Sequence, residues 1–242
     1  MKNSNNIIPL ISFPRSGNTW LRFIFANLLK ADHIDNVDYS NLNSIMPTER
    51  KQIANFDYSL LTNNAPIMLK EHYNYYNLNL SFNKSIYLKR NFLDTMESYW
   101  YFLKNKEPLL FDNFDEFIRT YWRYCGTHTN HIQSMKKIKN SKNIHIINFE
   151  DLHSDTFSTV SNCLKFLELD FSDKRINQAI EASNYNRLKK FKQNIFTNKK
   201  DIKSLKQMIS NHDDMFTDKN IYNRLLNYYI GLRFKLRKLK SR

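Results

Sequence analysis

The chain has 242 residues, and 37 Lys and Arg against 23 Asp and Glu give it a formal net charge of +14. Hydrophobic residues at 41% and aromatics at 14% exclude a disordered chain, and the length fits one large α/β domain able to bury its own core. The charge favours polyanionic partners (phosphorylated nucleotides, sulfated or uronate-bearing glycans, nucleic acid, anionic lipid) without choosing among them.

With only 3 Gly and 5 Pro, each turn residue carries positional information. Ile7 to Phe13 is a short apolar run ending in Pro14-Arg15-Ser16-Gly17, and from Thr19 the period becomes helical. Trp20, Ile24 and Leu28 form one stripe, with Leu21, Phe25 and Leu29 beside it, so the reading is strand, tight turn, helix. Pro66 to Leu69 forms a second strand that runs into Lys70-Glu71-His72. Ser85 to Lys89 forms a third, leading into Arg90, and a helix is predicted from about Leu93 to Leu103. Phe114 to about Lys137 reads as helical with a break near Gly126. The fourth strand, Ile144 to Phe149, is stopped by Glu150-Asp151, and a helix from Thr156 to Leu167 follows.

Short apolar strands alternating with helices predict a central parallel sheet flanked by helices, within a single domain spanning 1–242. Such sheets bind ligands beyond the carboxyl ends of their strands. Arg15-Ser16-Gly17, then Lys70 and His72, then Arg90 fall at three such ends.

Gly17 allows a tight turn and a close approach of the backbone to a ligand, and the helix start behind it offers amides to an anion. Ser16, Asn18 and Thr19 add donors and Arg15 a fixed charge; the plain alternative is a helix capped by Ser16. The nucleotide-triphosphate signature GxxxxGK[ST] is absent. The run Ser12-Phe13-Pro14-Arg15-Ser16-Gly17-Asn18-Thr19-Trp20-Leu21 resembles the 5′-phosphosulfate loop of the sulfotransferase superfamily. A second stretch resembles that family's 3′-phosphate element: Arg90 at a strand end, with Ser98 eight residues later in a helix. Lys70-Glu71-His72 is similar to its Lys-x-His element, Phe149-Glu150-Asp151-Leu152 to its Tyr-Glu-Asp segment, and Ala182 to Tyr185 to the segment that wraps adenosine.

The resemblance, over about residues 7 to 190, implies a P-loop-like sulfotransferase fold and transfer of a sulfuryl group from 3′-phosphoadenosine-5′-phosphosulfate (PAPS) to a hydroxyl, less readily an amine, of a saccharide or small molecule. It implies His72 as base, Lys70 on the sulfuryl oxygens and Arg15 on the leaving phosphate. It also implies that Arg15, Ser16, Gly17, Asn18, Thr19, Trp20, Arg90, Ser98 and Tyr185 bind the co-substrate, Trp20 and Tyr185 at the adenine. An imidazole suits the task because its ordinary pKa, about 6.5, lies near working pH. Glu150 and Asp151 are expected to cap a helix or orient a neighbour, and His131 to be structural or to line the acceptor site. No His/Cys/Asp cluster has metal spacing, so no metal is expected.

The chain departs from the family pattern at four places. Arg15 stands where Lys is common, and arginine keeps its proton, so it can clamp charge but hardly protonate a leaving group. Phe92 replaces a Pro, and Phe149 replaces a Tyr and lacks its hydroxyl. The late Arg-Lys-Gly loop has no counterpart, leaving Lys199-Lys200 to supply charge over the 3′ phosphate. Acceptor loops are expected in 32–64 and 105–114.

Cys125 and Cys163 are expected as thiols in a reducing compartment, and the start of the chain reads as no signal peptide. These features predict a cytoplasmic protein. The basic helical segment 219–242 carries Leu225, Leu226, Tyr229, Leu232 and Leu236 at helical spacing, with Arg233, Lys235, Arg237 and Lys238 between them. It is expected to dock on the domain, with peripheral contact to anionic membrane as the sharper alternative. Two other functions compete: a P-loop kinase-like phosphotransferase, and a non-catalytic basic protein that binds polyanions. No recognised nucleic-acid motif is present, so no specific nucleic-acid partner is expected.

Overall fold

The structure is a computed structural model that describes residues 7–62, 64–72, 83–106, 114, 117, 127–136 and 142–184. Tyr185, Lys199-Lys200, Cys125, Gly126, most of 105–114 and the basic segment 219–242 lie outside the described residues.

The elements follow the predicted alternation: β1 Ile7–Ser12, α1 Asn18–Leu29, α2 Leu42–Ile45, β2 Ile67–Glu71, β3 Ser85–Lys89 and α3 Phe92–Lys106. They continue with α4 His128–Lys136, β4 Ile144–Asn148, α5 Phe149–Ser154, α6 Thr156–Leu167 and α7 Asp173–Ala182. All pairings among the four strands are parallel, in the order β2-β1-β3-β4. The chain leaves β1 for β2 on one side and then crosses to β3 on the other. This makes the β1/β3 boundary the switch point, where parallel sheets open a crevice. Pro9, which has no N–H to give a ladder, sits where β1 is bordered only by β2; pairing with β3 begins at Leu10.

Both faces of the sheet are covered. One core joins α1 (Leu21, Ile24, Phe25, Leu28) to strand residues such as Leu10, Met68 and Leu88, and to Val160, Leu164 and Ile176. The other packs Phe13 against Met96, Tyr99, Trp100, Leu103, Phe114 and Phe117. Every residue of α1 except Thr19 is buried, so α1 also buries polar side chains that must find partners. Asn27 donates to Ser183 Oγ at 3.0 Å, and at the C-terminal end of α1 Arg175 donates to the carbonyls of Leu28 and Lys30.

Three expectations are adjusted. Phe149 opens the short helix α5 instead of ending β4, because Asn148 is the last residue in register with β3. α7 was not anticipated, although Ser172 caps it by accepting from Arg175 N at 3.3 Å. Segment 32–64, read as loop, contains α2 and two short 3-10 turns, Arg50–Ile53 and Tyr58–Leu60. Cys163 is a buried thiol whose pKa burial pushes up to about 12. No helix among the described residues is long and apolar enough to cross a membrane.

Candidate active site

Beyond β1 the chain turns sharply: Arg15 adopts φ 72° and Gly17 φ 100°, both left-handed. Only glycine fits the second position. A Cβ there would stand 2.3 and 2.5 Å from ring carbons of Phe149. Gly17, not Ser16, is the cap of α1, and it has no side chain to offer the first amides of the helix. Ser16 is fully buried and its Oγ has no partner among the described residues. A buried hydroxyl without an acceptor costs about 1–3 kcal/mol, so an acceptor placed at the turn would be favoured.

Arg90 and Ser98 both reach this turn. The Arg90 guanidinium donates to the Arg15 carbonyl at 3.3 Å across 75 residues, and Arg15 Nε donates to Ser98 Oγ at 3.3 Å across 83. The Arg90 guanidinium lies 4.4 Å from the centroid of Phe149, and its buried Nε has no partner among the described residues. Arg15 lies over Phe102 at 4.7 Å. Burial pulls Arg15 below the usual guanidinium range; Tyr99 opposes this and the charge of Arg90 adds to it. Two stacked arginines and orphaned donors make a cationic cradle.

The surroundings hold this cradle in place. The backbone N–H of Asn91 donates to Glu150 Oε1 at 2.9 Å, and Asn91 Oδ1 in turn accepts from Leu93 N, which fixes the start of α3. His128, buried against Phe13 and Phe92, donates from its ring to the backbone carbonyl of Arg90. Burial pushes the His128 pKa down to about 4 from 6.5. The folded state therefore resists a proton that the unfolded chain accepts. Stability present above about pH 6.5 should fall by about 3 kcal/mol as pH drops toward 4, and His128→Gln should flatten that slope in pH-dependent melting.

The remaining predicted residues divide. Asn18 turns inward: its Nδ2 donates to the Leu10 carbonyl at 3.2 Å and to Ser12 Oγ at 3.0 Å, so the amide nitrogen offered to a ligand on sequence grounds is spent on β1. Thr19 is half-buried beside the cap. Trp20 is 7% exposed, packs edge-on against Phe149 at 5.9 Å and donates its indole N–H to the Ser183 carbonyl at 2.9 Å. The loop and the Ala182-Ser183-Asn184 segment thus touch. His131 is fully buried with Nδ1 3.1 Å from the Tyr87 hydroxyl, a core position, which removes the acceptor-lining alternative.

At the end of β2, His72 Nδ1 lies 2.7 Å from the Ser12 carbonyl. A carbonyl only accepts, so Nδ1 carries the proton and the lone pair of the neutral ring is on Nε2. Lys70 is inside β2, beside Leu10. Burial lowers its pKa, and the charges of Arg22 and then Arg15 lower it further. Glu71 between them is buried and ion-paired to Arg50 at 2.8 Å. From segment 32–64, Tyr39 stands 51% exposed against Phe23, near enough to Arg15 for each group to shift the other. Among the described residues no group of three or more His, Cys, Asp or Glu could hold a metal ion.

Sequence reasoning missed Phe102, Phe149 as floor of the cradle, and His128. Phe102 had a signal, since it lies four positions after Ser98 on the same helix face.

Comparison with known proteins shows the family and the fold. The family profile described as sulfotransferase domain matches residues 6–223. No curated protein matches the chain by sequence. Among solved structures it resembles mouse sulfotransferase SULT7A1 complexed with PAP, at TM-score 0.59 and 19% identity, covering 77% of this chain and 67% of that one. It also resembles retinol dehydratase in complex with retinol and PAP (TM-score 0.53, 16% identity, 77% of this chain and 67% of that one). A third is a proposed steroid sulphotransferase of Arabidopsis thaliana (TM-score 0.54, 20% identity, 76% and 70%). At these identities the likeness concerns the fold, and the match spans about two thirds of the first two proteins.

Proposed function

The chain belongs to the sulfotransferase domain family, and from that premise we propose that it transfers a sulfuryl group from PAPS to a hydroxyl of a saccharide or small molecule, without a metal. One observation carries this reading: Arg15, Arg90 and Ser98 meet at a single turn. Buried Ser16 Oγ and Arg90 Nε, both without an acceptor among the described residues, fit the oxygens of a doubly phosphorylated nucleotide. The PAP found in the mouse enzyme and in retinol dehydratase, and the retinol in the latter, support the same classes of ligand here.

In this reading Arg90 and Ser98 hold the 3′ phosphate, while Ser16, the α1 amides and Arg15 hold the 5′ phosphate. Trp20, kept in plane by the Ser183 carbonyl, meets the adenine, with Tyr185 beside it. The co-substrate supplies the activated sulfuryl group. The acceptor proton passes to His72 Nε2, because Nδ1 is already committed to Ser12. Lys70 and Arg15 set a fixed positive field where negative charge grows, so little reorganisation is needed. The protein is further proposed to work in the cytoplasm.

Calorimetry with PAP, together with PAP release from PAPS in EDTA over a panel of phenol, sterol and saccharide acceptors, tests the reading. Binding at roughly micromolar affinity or tighter is expected, with release that depends on one acceptor class. No heat with PAP, alongside binding of magnesium ATP, would overturn it.

A further inference from the structure

α1 buries an arginine in its apolar surface. Arg22 is 4% exposed, and no carboxylate pairs with it among the described residues. It donates to Asn43 Oδ1 at 2.9 Å and to the Met46 carbonyl, while its Nε has no partner among the described residues. Burial lowers its pKa to about 10. A buried charge without an opposing charge is costly, and an apolar side chain of similar volume would suit a helix buried on nearly all sides. The fold keeps the charge, and what it grips suggests why.

The next carbonyl after Met46 is that of Pro47, which accepts the backbone N–H of Lys70 at 3.0 Å. The strap 43–47 is therefore held by α1 on one side and by β2 on the other, at the residue assigned to the sulfuryl oxygens. The two cations are also in electrostatic contact: Arg22 and Arg15 are the charges that act on the Lys70 ammonium. The carboxylate next to it in β2, Glu71, is paired with Arg50.

We propose that Arg22 is a positioning residue for sulfuryl transfer, which clamps the 43–47 strap onto β2 and thereby fixes where the Lys70 ammonium stands relative to Arg15. The proposal rests on the reading of Lys70 as the group facing the sulfuryl oxygens. Arg22 itself touches neither the phosphate turn nor His72 through any hydrogen bond, so it acts through Lys70.

The test is a double-mutant cycle of Arg22→Met and Lys70→Met, with melting temperature and PAP affinity as controls and PAP release measured on the fastest acceptor of the panel. Arg22→Met should lower kcat by roughly 10–10²-fold with KM and PAP affinity unchanged, because a shifted ammonium harms only the transition state. Added to Lys70→Met it should lower kcat no further. The alkaline limb of the pH–rate profile should move to higher pH in Arg22→Met, since one of the two charges opposing the Lys70 ammonium is gone. Arg22→Lys keeps the charge but not the fork that spans Asn43 and Met46; it should leave the limb in place and still lower kcat, which preserves the test if Arg22→Met fails to fold. Losses that multiply in the double variant, or a parent-like kcat in both Arg22 variants, would overturn the proposal. Parent protein that neither binds PAP nor releases it from PAPS would instead remove the reading beneath it.

Discussion

Replacing His72 by alanine is expected to cut turnover by about 10²–10⁴-fold while leaving PAP affinity within about twofold of the parent. The tether from His72 Nδ1 to the Ser12 carbonyl makes this specific. A base needs its lone pair aimed at one atom, and a backbone carbonyl on the ring's other nitrogen fixes both tautomer and orientation. His72→Asn keeps an N–H for the Ser12 carbonyl yet has no titrating nitrogen, so it should be as inactive as alanine while melting at the parent's temperature. Stopped-time assays of PAP release check both variants. Full turnover in either would place the base elsewhere.

The second large effect concerns the nucleotide's far end. Arg90→Ala should weaken PAP binding on the order of 10²-fold, about 3 kcal/mol, because it strands a buried phosphate without its charged donor. Arg90→Lys should recover little, since an ammonium has no planar face for Phe149 and cannot also reach the Arg15 carbonyl. The control is adenosine 5′-phosphosulfate, which lacks the 3′ phosphate. Parent and variant should bind it alike in calorimetry. An equal loss for both ligands would mean that Arg90 only supports the loop.

The strand–turn–helix unit was legible because its residues obey local rules. Ile7 to Ile11 is an uninterrupted apolar run, Gly17 is where a left-handed turn is needed, and α1 shows its period from Trp20 onward. Arg90 and Ser98 were legible through their resemblance to the family's 3′-phosphate element; in the structure each of them meets Arg15. What escaped depends on contacts far apart in sequence. Phe149 reads as a strand residue that has lost a hydroxyl, yet it lies under Arg90, against Trp20 and beside Gly17. Nothing in 148–152 announces that. Asn18 resembled a ligand donor, and only the register of β1 beneath α1 reveals that its amide nitrogen is used within the fold. α7 was overlooked because most of its ten residues are polar; its capping Ser172 was the available clue. Tyr185, Lys199 and Lys200 fall outside the described residues, so their proposed roles rest on the family alone.

The hydrogen bond that His72 donates to the Ser12 carbonyl ties the proposed proton acceptor to the strand that ends in the turn proposed to hold the 5′ phosphate. The proposed base and the proposed phosphate turn thus share one strand in the middle of the sheet, while Tyr39, from the segment 32–64 expected to meet the acceptor, stands near enough to Arg15 for their charges to interact. Exchanging 32–64 for another segment is expected to retarget the protein to a new acceptor while PAP affinity stays as it is.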